Sequence, residues 1–502
     1  MRILPQNSPR QLPKIQYAFP QTFGFTRQDS RRKAVKKAFQ KCWQSYKNFA
    51  WGKDELKPLS LGAKNEFGGW GVTLIDSLDT LWIMDLKDEF YEAVEAVALL
   101  DWENTNSTSC NIFETTIRHL GGLLSAYDLS QEPVLLDKAI ELGDMLYAGF
   151  DTPNRLPPFW LDFQKARAGN LVADNHIPSA SPGSLSLEFT RLAQITGNSK
   201  YYDAIARVTD LLEKHQGSTK LPGMWPTFLD LQEEIWFRGN SFTLGALADS
   251  LYEYFPKMYA LLGGAEPVYE NLYKASSMTI KEHILFRPML PNNADILFSG
   301  TVNVNDEVPA LNPEGQHLSC FVGGMFGIAG RLFGLDDHVD LGLRLTEGCI
   351  WAYNAFPSGI MPEIFAMVTC ESLDGCEWDE ERWKRDGDER LPKGFSNARA
   401  PSYSLRPEAI ESVFILYRIT GKAELREAAW QMFQSIQRET ETEFGNAAIT
   451  NVTITGSEKK DSMESFWLSE TLKYFYLIFS DPDLINLDEF LIMTDNVAVL
   501  EL

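Results

Sequence analysis

Apolar residues recur every three or four positions along most of this chain, and few segments alternate between apolar and polar residues. Spacing of three and four places apolar side chains on one face of a helix, whereas alternation would indicate strands. Clusters of Gly, Pro and Asn interrupt the pattern and mark helix ends. The pattern therefore predicts an all-α protein with about fourteen helices, over residues 31–49, 70–85, 87–100, 111–128, 134–149, 184–196, 199–216, 241–259, 266–286, 318–333, 336–355, 406–420, 423–438 and 462–479.

Most connections between successive predicted helices are short, which favours antiparallel helical hairpins. No Gly/Ser linker or low-complexity tract divides the chain. We therefore expect an N-terminal extension over residues 1–30 and a single domain over residues 31–502. The longer connections are rich in Pro, Gly, Asn and aromatic residues, and we expect elaborated loops with some short strands there, at about 150–183, 217–240, 287–317, 356–405 and 439–461.

Every second predicted helix carries acidic or other polar residues near its start or in its first turns. Acids favour helix N-termini whatever the function, so each of them taken alone is more simply a cap or a solvated side chain. Their surroundings are apolar, however, and a buried acid needs a partner, a metal ion or a raised pKa. If alternate helices form an inner ring, these residues meet at one mouth of a barrel: Asp76, Asp79, Glu114, Arg118, Glu188, Asp249, His317, Arg406, Glu408, Glu411, Glu464 and Glu470.

Composition and charge narrow the choice of function. The 502 residues are 44% hydrophobic, which is ample apolar material for a large core. The formal net charge of −23 argues against nucleic acid or an anionic membrane surface as a partner. It favours a neutral or cationic substrate, or a bound metal cation. No uncharged apolar stretch is long enough to predict a membrane span.

Cysteines and sequence signals bear on the cellular compartment. The six cysteines contain no CxxC pair, so zinc is not predicted, and they allow fifteen full pairings. The sequons at Asn106 and Asn451 fit a secretory protein. The N-terminal segment lacks the hydrophobic core of a signal peptide, so we expect either that the mature chain starts here or that a targeting segment is missing.

Several motifs in chain order carry a family resemblance. They are WGKDELKPLS with GVTLIDSLDTLWIM, NIFETTIRHLGGLLSAY, FTLGALADSLYEY, LSLRPEAIESVFILYRITG and DSMESFWLSETLKYFYLIFSD. This series, from about residue 35 to about residue 495, resembles glycoside hydrolase family 47, the class I α-1,2-mannosidases. The resemblance implies an (αα)7 barrel and an inverting exo-hydrolase that uses Ca²⁺. It also implies action on high-mannose N-glycans, in the secretory pathway lumen (Golgi or endoplasmic reticulum) or after secretion. We expect the protein to be a monomer.

Glycoside hydrolysis needs one group that protonates the leaving oxygen and another that activates water. By resemblance, Glu114 corresponds to the proposed general acid and Glu408 to the proposed base. Asp249 corresponds to a third essential carboxylate whose role is argued either way. Arg118 and Arg406 would orient carboxylates or bind sugar hydroxyls, or form buried ion pairs that support the site.

The resemblance also implies how calcium is held. The family uses the hydroxyl and carbonyl of one threonine, which is Thr494 here, and completes the shell with waters and sugar hydroxyls. The segment departs from the family pattern T-E-A-H, because this chain has Thr494-Asp495-Asn496-Val497. His317 matches a pocket position. The acids that surround the metal waters and the terminal mannose correspond to Glu188, Glu363, Glu408, Glu411 and Glu464.

Two further implications concern specificity and cross-linking. Family members that stop after removing one mannose tend to have Arg where this chain has Leu247, so Leu247 implies broader trimming, of a Golgi or secreted fungal type. Cys320 and Cys349 match the recurrent disulfide of the family. Cys370 and Cys376 would close a small loop, which leaves Cys42 and Cys110 either paired or free.

Other functions remain open alternatives. A non-enzymatic glycan-recognition protein on the same scaffold is favoured only by the altered segment at Thr494. A glucoamylase-like (αα)-barrel enzyme is opposed by the ordered motif series. A helical-repeat scaffold is opposed by the lack of a fixed period.

Overall fold

The computed structural model describes residues 1–5, 12–20, 30–105, 107–492 and 497–499. The α-helices are α1 Ser30–Phe49, α2 Val72–Asp76, α3 Leu78–Ile83, α4 Lys87–Ala98, α5 Ile112–Glu114, α6 Gly121–Ser130, α7 Pro133–Tyr147, α8 Phe163–Arg167, α9 Ala180–Gly183, α10 Ser186–Thr196, α11 Ser199–His215, α12 Asp249–Leu261, α13 Pro267–Thr279, α14 Val322–Phe333, α15 Asp336–Ala355, α16 Glu380–Asp386, α17 Glu408–Thr420, α18 Ala423–Thr440 and α19 Leu472–Ile478.

Seven helical units in the described ranges form a closed inner ring. Each unit packs against the next in the order α3, α6, α10, α12, α14, α17 and α19, and the π-helical turn before α19 returns to α3. The helices α1, α4, α7, α11, α13, α15 and α18 pack outside this ring, each against an inner neighbour. The predictions of an all-α fold and of an (αα)7 barrel are therefore confirmed.

Burial explains which helices lie inside. Every residue of α14 except Arg331 and Phe333 is buried, and the corresponding sequence, VGGMFGIAGRLF, has no polar face. Its glycines let neighbouring helices approach closely: a Cβ on Gly323 would lie 2.3 Å from the Thr346 hydroxyl, and one on Gly324 would lie 2.8 Å from Ile415. Outer helices such as α11 bury one face and expose charged residues on the other, as amphipathic helices do.

Two inner helices contain π-helical turns beside the predicted site residues. Thr115–Leu120 connects α5 to α6, and Trp467–Thr471 leads into α19. The sequence pattern predicted one uninterrupted helix in each region. A π-helical turn changes the direction of nearby side chains, and such turns occur often at functional sites.

The predicted helix 241–259 is wrong in its first part. Residues Ser241–Thr243 form strand β7, and the helix begins only at Asp249. Strand β7 pairs with Thr301–Asn303, so a partner about sixty residues away overrides the local helical pattern. Leu247, in the connecting turn, has a left-handed backbone with φ 79°.

Short strands decorate the loops, and most of them lie in the long connections, where strands were expected. They are β1 Glu55–Lys57, β2 Gly62–Lys64, β3 Ser109–Asn111, β4 Trp160–Asp162, β5 Ile177–Pro178, β6 Phe228–Leu229, β7 Ser241–Thr243, β8 Leu285–Phe286, β9 Phe298–Ser299, β10 Thr301–Asn305, β11 Val308–Asn312, β12 Glu314–Gln316, β13 Ile364–Met367, β14 Phe395–Ala400, β15 Glu441–Thr442, β16 Gly445–Asn446, β17 Phe490–Ile492 and β18 Val497–Val499.

All pairings within these sheets are antiparallel, and the largest sheets have three strands, in the orders β11-β10-β7 and β12-β13-β14. Strands β17 and β18 pair with each other and contact the inner helices α12 and α6. Thr494 lies between them in sequence but outside the described residues, as does Asn106.

Disulfides join Cys320 to Cys349 and Cys370 to Cys376. Cys42 and Cys110 are buried free thiols, which resolves the alternative left open by the sequence. No helix in the described part of the chain combines the length and apolarity needed to cross a bilayer.

Candidate active site

A cavity of about 290 Å³ opens where the inner helices begin. It collects one predicted carboxylate from each of three inner units: Glu114 from α5, Asp249 from α12 and Glu408 from α17. The rest of its wall mixes charged and apolar residues: Phe113, Ile117, Arg118, Phe159, Pro178, Ala180, Ser181, Ala246, Leu247, Ser250, Glu253, Leu318, Phe321, Arg406, Pro407, Glu411, Phe466 and Glu470.

Glu114 is held by the residues around the start of its own helix. The Asn111 side chain accepts a hydrogen bond from the Glu114 N–H at 3.0 Å, and this cap fixes where the helix begins. Arg118 Nε donates to Glu114 Oε2 at 2.8 Å. Arg118 Nη1 also donates to the Ser465 hydroxyl at 2.9 Å, and that hydroxyl donates to Asp76 at 2.6 Å. The Glu114 carboxylate is therefore oriented through a buried network that reaches a second inner helix.

Aromatic rings fix the two arginines of the cavity. The Arg118 guanidinium lies over Phe67, 5.1 Å from the ring centroid, and over Phe466 at 5.5 Å. The Arg406 guanidinium lies 5.9 Å from the same Phe466 ring. Such cation–π contacts hold a planar cation in one orientation. Phe466 thus contacts the arginine partners of both Glu114 and Glu408.

Glu408 has a different set of partners. His317 Nδ1 lies 2.9 Å from Glu408 Oε2, and Arg406 Nη1 lies 3.6 Å from Oε1. Burial alone would raise the pKa of Glu408, but the hydrogen bond from His317 and the charge of Arg406 outweigh it and lower that pKa. Arg406 is itself paired with Glu363, which also accepts a hydrogen bond from the Ser404 N–H at 2.8 Å. Glu408 is therefore kept ionised.

Asp249 is the first residue of α12, and its carboxylate accepts a hydrogen bond from the Ser250 N–H at 2.8 Å. Burial raises the pKa of Asp249 to about 7 against the effect of that hydrogen bond, and the charges of Glu253 and Glu408 add to the rise. Asp249 therefore holds a proton near neutral pH, whereas Glu408 does not.

The cavity floor contains a charged cluster that the sequence analysis missed. The Lys257 ammonium pairs with Glu253 one turn away on α12 and lies 3.7 Å from Glu411 Oε1 on α17. Burial and the charge of Glu253 raise the pKa of Glu411 well above its usual value, while Lys257 opposes that rise. The signal was present in the sequence as an i, i+4 Glu–Lys pair within an otherwise apolar helix.

Six predicted residues in the described ranges do not line the cavity: Asp76, Asp79, Glu188, His317, Glu363 and Glu464. Asp76 and Asp79 are fully buried, and Asp79 pairs with the buried Lys473 at 2.8 Å. Glu188 is buried on α10 and accepts a hydrogen bond from the Tyr254 hydroxyl at 2.9 Å. Glu464 lies beside the buried Glu55. Burial and the charge of Glu464 raise the pKa of Glu55, and Lys64 opposes that rise.

Of the remaining predicted positions, three line the cavity and one lies outside the described residues. Leu247 lines the cavity mouth and is 45% exposed, so its side chain faces any molecule that enters. Arg118 and Arg406 line the wall beside their carboxylates. Thr494 lies outside the described residues. Within those ranges, no three acidic, histidine or cysteine side chains are grouped to bind a metal ion directly.

This arrangement can perform paired acid–base chemistry. One carboxylate, Glu408, is buried and ionised, and a second, Glu114, is oriented by an arginine in the wall of the same cavity. Aromatic and aliphatic residues between them provide an apolar surface that excludes water. A neutral polyhydroxylated molecule of one or two rings fits both the volume and the mixture of polar and apolar lining.

Known proteins are similar over almost the whole chain. The family model "Glycosyl hydrolase family 47" matches residues 38–497. A probable mannosyl-oligosaccharide α-1,2-mannosidase 1B of Aspergillus fumigatus is 33% identical and covers 89% of this chain and 90% of its own length.

The endoplasmic reticulum mannosyl-oligosaccharide 1,2-α-mannosidase of Rattus norvegicus is 36% identical. The match covers 92% of this chain but 66% of the rat protein. The solved structure of the α-1,2-mannosidase from Trichoderma reesei superposes with a TM-score of 0.84 at 31% identity, covering 94% of this chain and 99% of that one.

Proposed function

The chain belongs to glycosyl hydrolase family 47, and we propose that it is an inverting, exo-acting α-1,2-mannosidase that trims high-mannose N-glycans. The names of its relatives support the reaction class. The observation that carries the proposal is the convergence of Glu114, Asp249 and Glu408, from three separate inner helices, on one cavity.

Glu408 is the general base in this proposal. Its lowered pKa keeps it ionised, so it can take a proton from a water molecule that attacks the anomeric carbon. Glu114 is the general acid, which donates a proton to the leaving glycosidic oxygen while Arg118 fixes its direction. In an inverting enzyme the water and the leaving group occupy opposite faces of the sugar.

Asp249 is the third carboxylate of the reaction. Its raised pKa makes it a neutral donor near pH 7, able to hydrogen-bond to a water molecule or a sugar hydroxyl. Arg406 and Glu411 bind or orient the terminal mannose beside Glu408, and Arg118 does so beside Glu114. Glu188, His317, Glu363 and Glu464 support this inner group from behind the wall.

We propose Ca²⁺ as the cofactor and Thr494 as its protein ligand, with Asp495, Asn496 and Val497 tuning the affinity. Bound calcium would supply positive charge to mannose hydroxyls at the cavity floor. The surrounding donors fit a hard cation held largely through water, because Glu188, Glu411 and Glu470 are buried carboxylates on three inner helices. The ammonium of Lys257 already neutralises part of that charge, which favours a cation bound through waters over direct ligation by these acids.

The proposed setting follows from the same family. We propose a monomer with one catalytic barrel over residues 31–502, acting in the secretory pathway lumen or after secretion on glycans or glycoproteins. The net charge of −23 disfavours nucleic acid as a partner.

The decisive experiment is digestion of a labelled high-mannose N-glycan with added calcium and, separately, with a chelator. We expect calcium-dependent release of several α-1,2-linked mannoses, and β-mannose as the first product by NMR. Retained α-configuration would refute the inverting mechanism. Folded protein that binds the glycan but releases no mannose would instead support the glycan-recognition alternative.

Leu247 gives a test of specificity within the same assay. Leucine offers no hydrogen bonds to a glycan branch, whereas arginine offers five donors. We expect the wild-type protein to continue past the first mannose and Leu247→Arg to slow or stop after it. Digestion that stalls after one mannose in the wild type would exclude the broad trimming proposed here.

A further inference from the structure

His317 uses both ring nitrogens in buried hydrogen bonds. Its side chain is fully buried, and Nδ1 lies 2.9 Å from Glu408 Oε2. On the other side of the ring, Nε2 lies 2.8 Å from the Tyr353 hydroxyl. Tyr353 is on the outer helix α15 and does not line the described cavity. A residue of the outer layer therefore reaches the proposed base through one imidazole ring.

The direction of these hydrogen bonds follows from Glu408. The Tyr403 hydroxyl, which lies beside Tyr353, gives its one proton to the Arg406 carbonyl at 3.3 Å. Burial raises the pKa of both phenols well above the ordinary value, so both stay protonated. An ionised Glu408 carboxylate can only accept, so the Nδ1–H of His317 donates to it. Nε2 of neutral His317 is then an acceptor, and the Tyr353 hydroxyl donates to it.

This direction of donation determines the tautomer of the imidazole. When Nε2 accepts a proton from Tyr353, the ring proton of neutral His317 must lie on Nδ1. That N–H then points at Glu408 Oε2. The donors run in one direction, from Tyr353 through His317 to the carboxylate.

We propose that Tyr353 is a positioning residue for the reaction, because its hydroxyl fixes His317 as the Nδ1–H tautomer and thereby orients Glu408. The inference rests on the proposed function, in which Glu408 is the general base. With Oε2 tied to His317, the carboxylate plane is set and a lone pair remains available for the proton of the attacking water. The imidazole moves no proton in this scheme.

The covalent structure supports the same geometry. The disulfide joins Cys320, three residues after His317, to Cys349, four residues before Tyr353. The Cys320 N–H also donates to the His317 carbonyl at 3.0 Å. The cross-link therefore fixes α15 against the turn that carries His317, so the contact between His317 and Tyr353 does not depend on helix packing alone.

The charged groups around Glu408 come from every neighbouring element. Arg406 precedes it on the same segment, Asp249 faces it from α12, and Glu411 follows one turn later on α17. None of these contacts His317 Nε2 among the hydrogen bonds of the described residues. Removing the Tyr353 hydroxyl therefore changes the imidazole first and Glu408 only through it.

The test is Tyr353→Phe, which removes one hydroxyl and keeps the ring. We expect kcat on a high-mannose glycan to fall about 3- to 10-fold, the range of one buried hydrogen bond, with KM unchanged because Tyr353 does not touch the cavity.

The structure contains a matched control. The Tyr273 hydroxyl lies 2.8 Å from His338 Nδ1, both residues are buried, and neither lines the cavity. Tyr273→Phe should lower the melting temperature about as much as Tyr353→Phe does, but it should leave kcat unchanged.

A double variant separates positioning from general loosening. His317→Asn keeps a side-chain N–H near the position of Nδ1 but has no second ring nitrogen. In that background Tyr353→Phe should have no further effect on kcat, because the tautomer that it controls is gone. Multiplicative loss of kcat, or equal losses in Tyr353→Phe and Tyr273→Phe, would overturn the proposal.

A readout that does not need turnover completes the test. Nitrogen chemical shifts of ¹⁵N-histidine distinguish the two neutral tautomers. We expect His317 of the wild-type protein to be the Nδ1–H form, and we expect its Nε2 resonance to shift in Tyr353→Phe, where Nε2 loses its hydrogen-bond donor. An Nε2–H form in the wild type would overturn the relay. If the wild type releases no mannose yet shows the expected tautomer, the proposed function fails while the relay stands.

Discussion

The two sides of the cavity hold their carboxylates in different ways. On one side the Glu114 side chain is 31% exposed and takes its orientation from a single guanidinium, that of Arg118. On the other side the Glu408 side chain is 13% exposed and is bound by both an imidazole and a guanidinium. The more exposed carboxylate of Glu114 is open to solvent. The more buried one keeps its charge only because its partners outweigh the cost of burial.

In the proposed mechanism this difference lets one residue type serve two roles. Glu408 is suited to take a proton because His317 and Arg406 lower its pKa. The side that carries Glu408 also acts on Asp249, since Glu408 contributes to the raised pKa of that residue. The two sides meet at one ring, that of Phe466, which contacts both arginines.

The largest expected effects come from removing the two carboxylates. Glu408→Gln and Glu114→Gln should each lower kcat on the glycan by about 10²- to 10⁴-fold, the range attributed to positioned acid–base groups. Glutamine keeps the size and a hydrogen-bonding oxygen but cannot exchange a proton. The measurement is initial rates of mannose release by variants whose melting temperatures match the wild type.

The substrate distinguishes the two sides. Fluoride leaves without much protonation, so α-mannosyl fluoride should restore much of the activity of Glu114→Gln. It should not restore Glu408→Gln, which still lacks the base. Equal restoration of both variants would mean that the roles assigned to the two sides are wrong.

Asp249 tests how strongly the base side controls its neighbours. The folded protein holds the Asp249 proton up to about pH 7, whereas an ordinary aspartate loses it near pH 3.8. Raising the pH from about 4 to about 7 therefore removes stability from the folded state. Asparagine has no proton to lose, so Asp249→Asn does not lose this stability. At pH 8 we expect the free energy of unfolding of Asp249→Asn to exceed that of the wild type by about 2 kcal/mol, a value reduced because Asp249 contacts water in the cavity.

Thermal unfolding of both proteins at pH 5 and pH 8 measures this difference. The advantage of Asp249→Asn should be small at pH 5 and larger at pH 8, because the other buried acids with raised pKa values, Glu55 and Glu411, are common to both proteins. A constant advantage at the two pH values would show that Asp249 does not titrate in this range.

The fold was largely predictable because helical periodicity is a local signal. The pairs of inner and outer helices, such as α14 with α15 and α17 with α18, agree with the sequence-predicted boundaries to within a few residues. The failure at 241–248 has a non-local cause, since β7 exists only through pairing with β10.

The site was predictable where motifs carry it. Glu114, Asp249 and Glu408 follow from the ordered family motifs, and the structure places them on one cavity. The Lys257–Glu253 pair was missed because Glu–Lys pairs at i, i+4 usually lie on exposed helix faces. Tyr353 was missed because its link to His317 spans 36 residues and two layers of the barrel. The first contact leaves a pattern along the chain that has a commoner explanation, and the second leaves none.

Phe466 and Phe67 give the smallest and sharpest test of the two-sided site. Phe466→Leu keeps apolar volume but removes the ring over which Arg118 and Arg406 lie. We expect the activation free energy to rise by about 1 to 2 kcal/mol, so that kcat/KM on the glycan falls about 5- to 30-fold. Phe67→Leu removes a ring that contacts Arg118 alone, and should cost about 2- to 5-fold.

The two variants should then separate on α-mannosyl fluoride. The Phe67→Leu defect acts through Glu114, so a substrate that needs little acid should nearly abolish it. The Phe466→Leu defect also acts through Arg406 and Glu408, so part of it should persist. If both defects vanish on the fluoride, the Arg406 contact does not orient the base. If both persist unchanged, the rings stabilise the cavity as a whole. Arg118 and Arg406 would then not orient Glu114 and Glu408 separately.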